Sequence, residues 1–307
     1  MTAIKRLYGR GISPRCMLVI AAALLTLGYI GGEAQRISEL AQLGFILRIA
    51  GKAAEPLLIL LVVDAVRRTE KRRALILGLY IAAALTQLLI AAANEISMAS
   101  IGREITPGTP NMLFTLFYAA LHITLLQGAV DCYRENNKKR AAMYIGLFLL
   151  TFLPTIFYMC FYSPMSELVF GSAGAIHFSS RTALGVAFAI LPSPLMVDSY
   201  IFVIMGILMY FAGTTRRATA VFAVFCVLCA AGHRLGLDGL TEFYGWRQYF
   251  MALALPFMLL YNGERGGDKL NFRGILCYYP IQQIAAAVVF ALVELYVFPA
   301  NAALLPL

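Results

Sequence analysis

Charged residues are scarce in this chain, at 13% against roughly a quarter in soluble domains, while hydrophobic residues reach 61% and the mean hydropathy is +0.77. A soluble domain of 307 residues cannot bury that much apolar surface, so the composition excludes a water-soluble fold and places the chain in a lipid bilayer. No soluble domain, low-complexity tract or internal repeat is apparent, and residues 1–307 read as a single transmembrane domain. Cysteine is equally sparing. Cys16, Cys132, Cys160, Cys226, Cys229 and Cys277 all fall within or at the ends of apolar segments. Cys226 and Cys229 have the spacing of half a zinc site, but no second Cys or His pair accompanies them. They read as buried small hydrophobes, and no metal is expected.

The formal net charge of +9 raises the question of nucleic acid, which the placement of the basic residues answers. They sit in short clusters between apolar runs, the pattern of cytoplasmic membrane loops, so no nucleic-acid partner is expected. Segments long enough to cross about 30 Å of hydrocarbon, each of roughly 20 residues, fall near 16–34, 44–66, 74–96, 111–132, 141–162, 194–213, 217–234, 246–262 and 275–298. On one side of these spans lie Lys5, Arg6, Arg10 and Arg15, then Arg67, Arg68, Lys71, Arg72 and Arg73, then Arg134, Lys138, Lys139 and Arg140, then Arg216 and Arg217, and finally Arg265, Lys269 and Arg273. The opposite side has only Arg36, Arg103, Arg181, Arg234 and Arg247. This alternation predicts an all-α, polytopic membrane bundle of about nine spans with a cytoplasmic N-terminus.

Two stretches bear on that count. Residues 182–191 are apolar but too short to span, and Pro192-Ser193-Pro194 follows, so they read as a re-entrant or interfacial piece. The first span, with its basic flank and Gly32-Glu33-Ala34, also has the outline of a cleavable signal.

Near the C-terminus the chain runs Tyr244-Gly245-Trp246-Arg247, crosses a mostly apolar stretch, emerges as Tyr261-Asn262-Gly263-Glu264-Arg265-Gly266, and then reads Tyr278-Tyr279-Pro280 inside another apolar run. This order resembles the C-terminal half of the TraX family of polytopic membrane proteins. Upstream, Gly51-Lys52-Ala53-Ala54-Glu55-Pro56, leading to Asp64 and then Arg67-Arg68-Thr69, is similar to the family's second span, with Lys in place of Arg and Asp in place of Glu. Asn111-Met112-Leu113-Phe114-Thr115 looks like the start of its fourth. The resemblance implies one TraX-like domain over 1–307 and retention of the first helix. It also implies an acetyltransferase that uses acetyl-CoA as cosubstrate and the N-terminal amine of a pilin-like or other exported peptide as acceptor. No permanently bound cofactor is implied, and the setting is the bacterial cytoplasmic membrane. The departures matter too. The family has an Asp-His pair where this chain reads Leu27-Gly28-Tyr29-Ile30-Gly31, and a His where Gln282 stands.

Acetyl transfer to an amine needs a base, donors for the oxyanion and a site for the anionic donor. His122, in the middle of the fourth span, is a candidate base, since an ionisable group at that depth faces a bundle interior or cavity; the alternative is a neutral imidazole bonded to a neighbouring helix. His177 and His233 fall in outside loops and read as solvated. Arg48, Lys52 and Glu55 share one helical face by spacing, which either lines a polar interior or snorkels at the outer interface. Glu55 and Asp64 complete the catalytic candidates, with pairing to Arg67 and Arg68 as the plain alternative for Asp64. Asn262, Gly263, Arg265 and Gly266 are the candidate acetyl-CoA residues, because glycine permits close backbone approach and arginine suits phosphate. Tyr244, Trp246 and Arg247, with Asp238 and Glu242, gather outside as a candidate peptide-recognition patch or as interface anchors. Beside the enzyme stands a second expectation: a non-catalytic or transporter-like protein that binds a small peptide or anion.

Overall fold

The computed structural model describes residues 11–35, 37–101, 111–161, 181–194, 200–236 and 248–263, and residues 278, 279, 281, 282, 284, 285, 288 and 289 beyond them. All regular structure among these residues is helical, apart from one isolated parallel bridge between Ile12 and Tyr261. The helices are α1 (Pro14–Ala34), α2 (Ala41–Gly51), α3 (Ala54–Arg68), α4 (Arg72–Ile101), α5 (Met112–Arg134), α6 (Lys138–Leu150), α7 (Leu153–Phe161), α8 (Arg181–Ile190), α9 (Tyr200–Phe211), α10 (Thr215–Arg234) and α11 (Leu255–Leu260), with short 3-10 turns at Ser38–Leu40 and Gln248–Ala254.

Their ends follow from local chemistry. Ser13 caps α1 by accepting from the Cys16 amide at 3.3 Å, with Pro14 supplying a preset φ in the first turn. Asn111, Asn137 and Thr214 do the same for α5, α6 and α10. The chain reverses after α5 through Asn136 at φ 59° and after α9 through Gly213 at φ 82°, residues suited to the left-handed region.

Among the described residues, five helical stretches are long and apolar enough to cross a membrane: Pro14–Ala34, Arg72–Ile96, Met112–Arg134, Lys138–Tyr158 and Thr215–Arg234. Their outward residues are apolar, among them Leu77, Ile81 and Leu85 on α4, Leu149 and Leu150 on α6, and Val224, Val227 and Leu228 on α10. Faces of that kind suit lipid rather than water.

The expected span over 44–66 is interrupted: α2 ends at Gly51, Lys52 and Ala53 form a turn, and α3 begins at Ala54. Proline explains the place, because Pro56 offers no N–H and its ring would collide with the carbonyl four residues back, at Lys52. Pro154 ends α6 at Leu150 in the same way, which divides the expected span over 141–162. Pro256 follows the 3-10 stretch of the expected span over 246–262. The expected span over 194–213 is helical from Tyr200, and the last one, over 275–298, lies largely outside the described residues. The 182–191 stretch forms the ten-residue α8, about 15 Å long by its rise and so half a bilayer.

Chain contacts define two compact units, one of residues 1–68 with 204–307, the other of residues 69–203. In the first, α1 packs on α2 and α3, and α10 packs on Gln248–Ala254 and α11. Glycines set the α1–α2 approach: a Cβ on Gly28 would stand 2.9 Å from Gly51 Cα, and one on Gly44 would stand 2.8 Å from the Gly31 carbonyl oxygen. Helix α3 is apolar and buried all round, with Leu57 through Val63 each at most 1% exposed.

In the second unit α4 packs on α5 and α8, and α5 packs on α6. The last carbonyls of α8 and the residues after it are satisfied by tyrosines: Tyr80 donates to Ile190 O at 2.9 Å, Tyr158 to Leu191 O at 3.0 Å and Tyr118 to Pro192 O at 2.7 Å. Ser193, fully buried in the Pro-Ser-Pro step, pairs with Thr155 at 2.7 Å. A helix that stops short of a full span therefore leaves few backbone groups to be solvated.

Candidate functional site

Helix α3 ends in Asp64-Ala65-Val66-Arg67-Arg68, and α11 runs out at Leu260 into Tyr261-Asn262-Gly263. The two ends meet within the first unit. The Tyr261 hydroxyl donates to Asp64 Oδ2 at 2.7 Å, and Arg68 Nε donates to both carboxylate oxygens, at 2.9 Å and 2.8 Å. Asp64 and Tyr261 are buried, while half of the Arg68 side chain is exposed. The tyrosine bond is thus a buried, charge-assisted one, and the ion pair with Arg68 is the part that solvent screens.

Gly263 completes the arrangement. A Cβ there would lie 3.1 Å from Asp64 Oδ2 and 3.3 Å from Arg68 Cζ, so the backbone passes against the carboxylate as only glycine allows. On the other side of the Tyr261 segment the N-terminal segment pairs in parallel: Ile12 N donates to Leu260 O at 2.7 Å and Asn262 N to Ile12 O at 2.9 Å. Gly11 fits beneath, where a Cβ would stand 2.7 Å from Leu260 O. Nothing in the residue pattern around Ile12 announces this pairing.

Arg67 does not share Asp64. Its Nη2 donates to the carbonyls of Met209 and Tyr210 at 2.6 Å and 2.7 Å, and its guanidinium lies over the Tyr210 ring at 5.4 Å. Cation and ring together close the C-terminal end of α9.

Of the other candidates, Glu55 shares the unit of this cluster and His122 does not. Glu55 lies in the first turn of α3, nine residues before Asp64 and so about 14 Å away by the helical rise. His122 belongs to the second unit, is fully buried, and has both ring nitrogens engaged. Thr151 Oγ1 gives its proton to Phe148 O at 2.6 Å, so it accepts from His122 Nε2 at 2.8 Å, which leaves Nδ1 to accept from the Tyr200 hydroxyl at 3.2 Å. One neutral tautomer meets all three bonds. The rings of Tyr118, Phe148, Phe152 and Tyr200 enclose the imidazole.

At the α2–α3 break Lys52 Nζ donates to Gln248 Oε1 at 2.7 Å, and Arg48 Nη1 donates to Gln35 Oε1 at 2.9 Å. Because two turn residues separate Glu55 from α2, the continuous face expected for Arg48, Lys52 and Glu55 is not formed. In α1, Thr26 bonds the Tyr278 hydroxyl at 2.7 Å and Gln282 at 2.5 Å. Cys226 and Cys229 are buried in α10 and form no disulfide among the described residues. Tyr244, Trp246, Arg247, Arg265 and Gly266 lie outside the described residues, as does His177.

No protein-family model, curated protein or solved structure matches this chain.

Proposed function

We propose that this chain is a multi-pass protein of the bacterial cytoplasmic membrane, with a cytoplasmic N-terminus, that moves an acetyl group from acetyl-CoA to the N-terminal amine of a pilin-like or other exported peptide. The observation that carries this reading is the meeting of Asp64 with Tyr261 and Gly263, which joins two segments singled out by the resemblance to TraX and separated by 197 positions. The amine lone pair attacks the thioester carbonyl carbon, the C–S bond breaks with its electron pair leaving on sulfur, and the proton released from nitrogen ends on the CoA thiolate. Asp64 is the base in this scheme. Tyr261 is a positioning residue that ties up one carboxylate oxygen, and Arg265, two residues beyond Gly263, meets the donor phosphates.

Calorimetric titration of the detergent-solubilised chain with acetyl-CoA tests it. Micromolar binding that Arg265→Ala weakens tenfold, about 1.4 kcal/mol, together with acetyl transfer to a pilin-like peptide that Asp64→Asn abolishes, is the expected result. A folded protein that takes up no acetyl-CoA would rule the enzyme out. The second reading, a membrane protein that binds a small peptide or anion without transferring anything, has its own support: Gln282, which stands where the family has histidine and pairs with Thr26, does not titrate. Uptake of acetyl-CoA without transfer to any amine favours that reading.

A further inference from the structure

Helices α5 and α6 form a hairpin within the second unit, closed by Glu135, Asn136 and Asn137. Its tip carries Arg134, Lys138, Lys139 and Arg140 against Asp131 and Glu135, which leaves positive charge in excess. All four cations are exposed, and none makes an ion pair among the described residues. Asp131 is engaged by the Gln127 amide at 2.7 Å. Helix stability does not account for the cations. Lys138, Lys139 and Arg140 fill the first turn of α6, which has no acidic residue, and positive charge at that end opposes the helix dipole.

The surface of α6 beyond this tip is apolar and open. Tyr144 lies over Gly128 of α5, where an added Cβ would stand 2.7 Å from the Tyr144 ring, and this contact marks the face of α6 that meets α5. Helical spacing then places Lys139, Met143 and Leu150 in one row off that face, and Lys138, Ile145 and Leu149 in another. The four apolar members are 42–61% exposed. Each row is a cation at the end of an open apolar strip, which is the complement of a lipid with an anionic head. We infer that the α5–α6 tip is a binding surface for anionic phospholipid, with the phosphate among Lys138, Lys139 and Arg140 and the acyl chains along the two rows. Charge selects the headgroup: a zwitterionic lipid would bring its own cation against three others, whereas a net negative head meets unpaired positive charge. The apolar rows select lipid over a soluble anion, which has no chain to cover them. Tyr133, 68% exposed beside Arg134, is the residue type found at headgroup level. None of this depends on the acetyltransferase reading.

The test places a photoreactive benzoylphenylalanine at Met143 or, as a bulk-lipid control, at Val227 of α10, which is 68% exposed. Each full chain is reconstituted in nanodiscs of phosphatidylglycerol and phosphatidylcholine in equal amounts with matched acyl chains, then irradiated, and the lipid adducts are counted by mass spectrometry. At position 143 the anionic adducts are expected to exceed the zwitterionic ones about fivefold, the factor that one basic residue near a bilayer surface supplies. The ratio should fall to parity in Lys138→Gln/Lys139→Gln/Arg140→Gln, and position 227 should show parity throughout. The inference is overturned by parity at 143, by an equal preference at 227, or by a preference that survives the triple substitution. It is overturned as well if inorganic phosphate at constant ionic strength abolishes the preference, which makes the ligand a free anion, or if the adducts join a second copy of the chain in place of lipid. Should the triple variant fail to give a monodisperse gel-filtration peak, Lys139→Gln alone decides: a ratio lowered by about half or more supports the surface, and an unchanged ratio overturns it.

Discussion

Tyr261 Oη stands 2.7 Å from Asp64 Oδ2, so the residue that ends α11 and the acid one turn from the end of α3 share a buried hydrogen bond. Removing the hydroxyl in Tyr261→Phe leaves Asp64 to the Arg68 guanidinium, and Arg68 is half exposed. Thermal unfolding in detergent is expected to fall by an amount equivalent to about 1–3 kcal/mol. Combining Tyr261→Phe with Asp64→Asn measures the pair directly, and a coupling energy of about 0.5–3 kcal/mol is expected for groups in contact. Strictly additive losses would mean that the two side chains do not meet.

The α1–α2 approach makes a second, sharper contrast. A side chain on Gly28 meets Gly51 Cα at 2.9 Å, which is backbone and cannot rotate away. Gly28→Leu is therefore expected to cost more than about 1–3 kcal/mol, the usual range for overpacking, with Gly28→Ala nearer its lower end. Gly78 and Gly146 have nothing within 4 Å of an added Cβ, and both sit inside helices. Alanine at either is expected to be neutral or to stabilise by about 0.5–1 kcal/mol. Differential scanning of the four variants separates these outcomes, and equal losses in all four would contradict the close approach.

Much of this was legible in the residues, for identifiable reasons. The helical architecture and membrane character follow from apolar runs that need only length and composition. The link between Asp64 and Arg68 was available from a spacing of four, and the Tyr261-Asn262-Gly263 stretch was marked by its glycine between two apolar segments. The interruptions were harder. Pro56 and Pro154 lie within stretches long enough to be read as single spans, and a hydropathy reading passes over them, although the rule that proline rejects the carbonyl four residues back would have placed both breaks. What no local pattern could supply is the pairing of Ile12 with Tyr261, a tertiary contact with no periodicity behind it. The fate of His122 is of the same kind: its depth in the fourth span was readable, but its two partners come from residues 29 and 78 positions away.

Asn111 does two jobs, and substitutions can separate them. Its Oδ1 caps α5 by accepting from the Leu113 amide at 3.1 Å, while its Nδ2 donates to Ala83 O at 3.0 Å and Gln87 Oε1 at 3.1 Å. Asn111→Asp keeps the cap and replaces the donor by an acceptor facing two acceptors, all of it buried. Asn111→Ala loses the cap, worth about 0.5–2 kcal/mol, but introduces no repulsion. Aspartate is expected to be the more damaging of the two in thermal unfolding near pH 7, even though it is the closer residue in shape. The reverse order would show that capping, and not the contact with α4, is what holds Asn111.

His122 offers the last prediction, which turns on which nitrogen has the proton. Thr151 spends its hydroxyl proton on Phe148 O, so Nε2 must be the protonated nitrogen and Nδ1 the acceptor for Tyr200. His122→Leu leaves the Tyr200 hydroxyl without this acceptor in a site walled by Tyr118, Phe148 and Phe152, and removes the donor that Thr151 Oγ1 receives. Loss of the Tyr200 bond alone is expected to cost about 1–3 kcal/mol. In Tyr200→Phe the hydroxyl is gone as well, so adding His122→Leu to it should cost less than His122→Leu costs in the wild-type background. Unfolding of the four chains in the same detergent gives the comparison, and an undiminished cost in the Tyr200→Phe background would show that the tyrosine does not bond the imidazole.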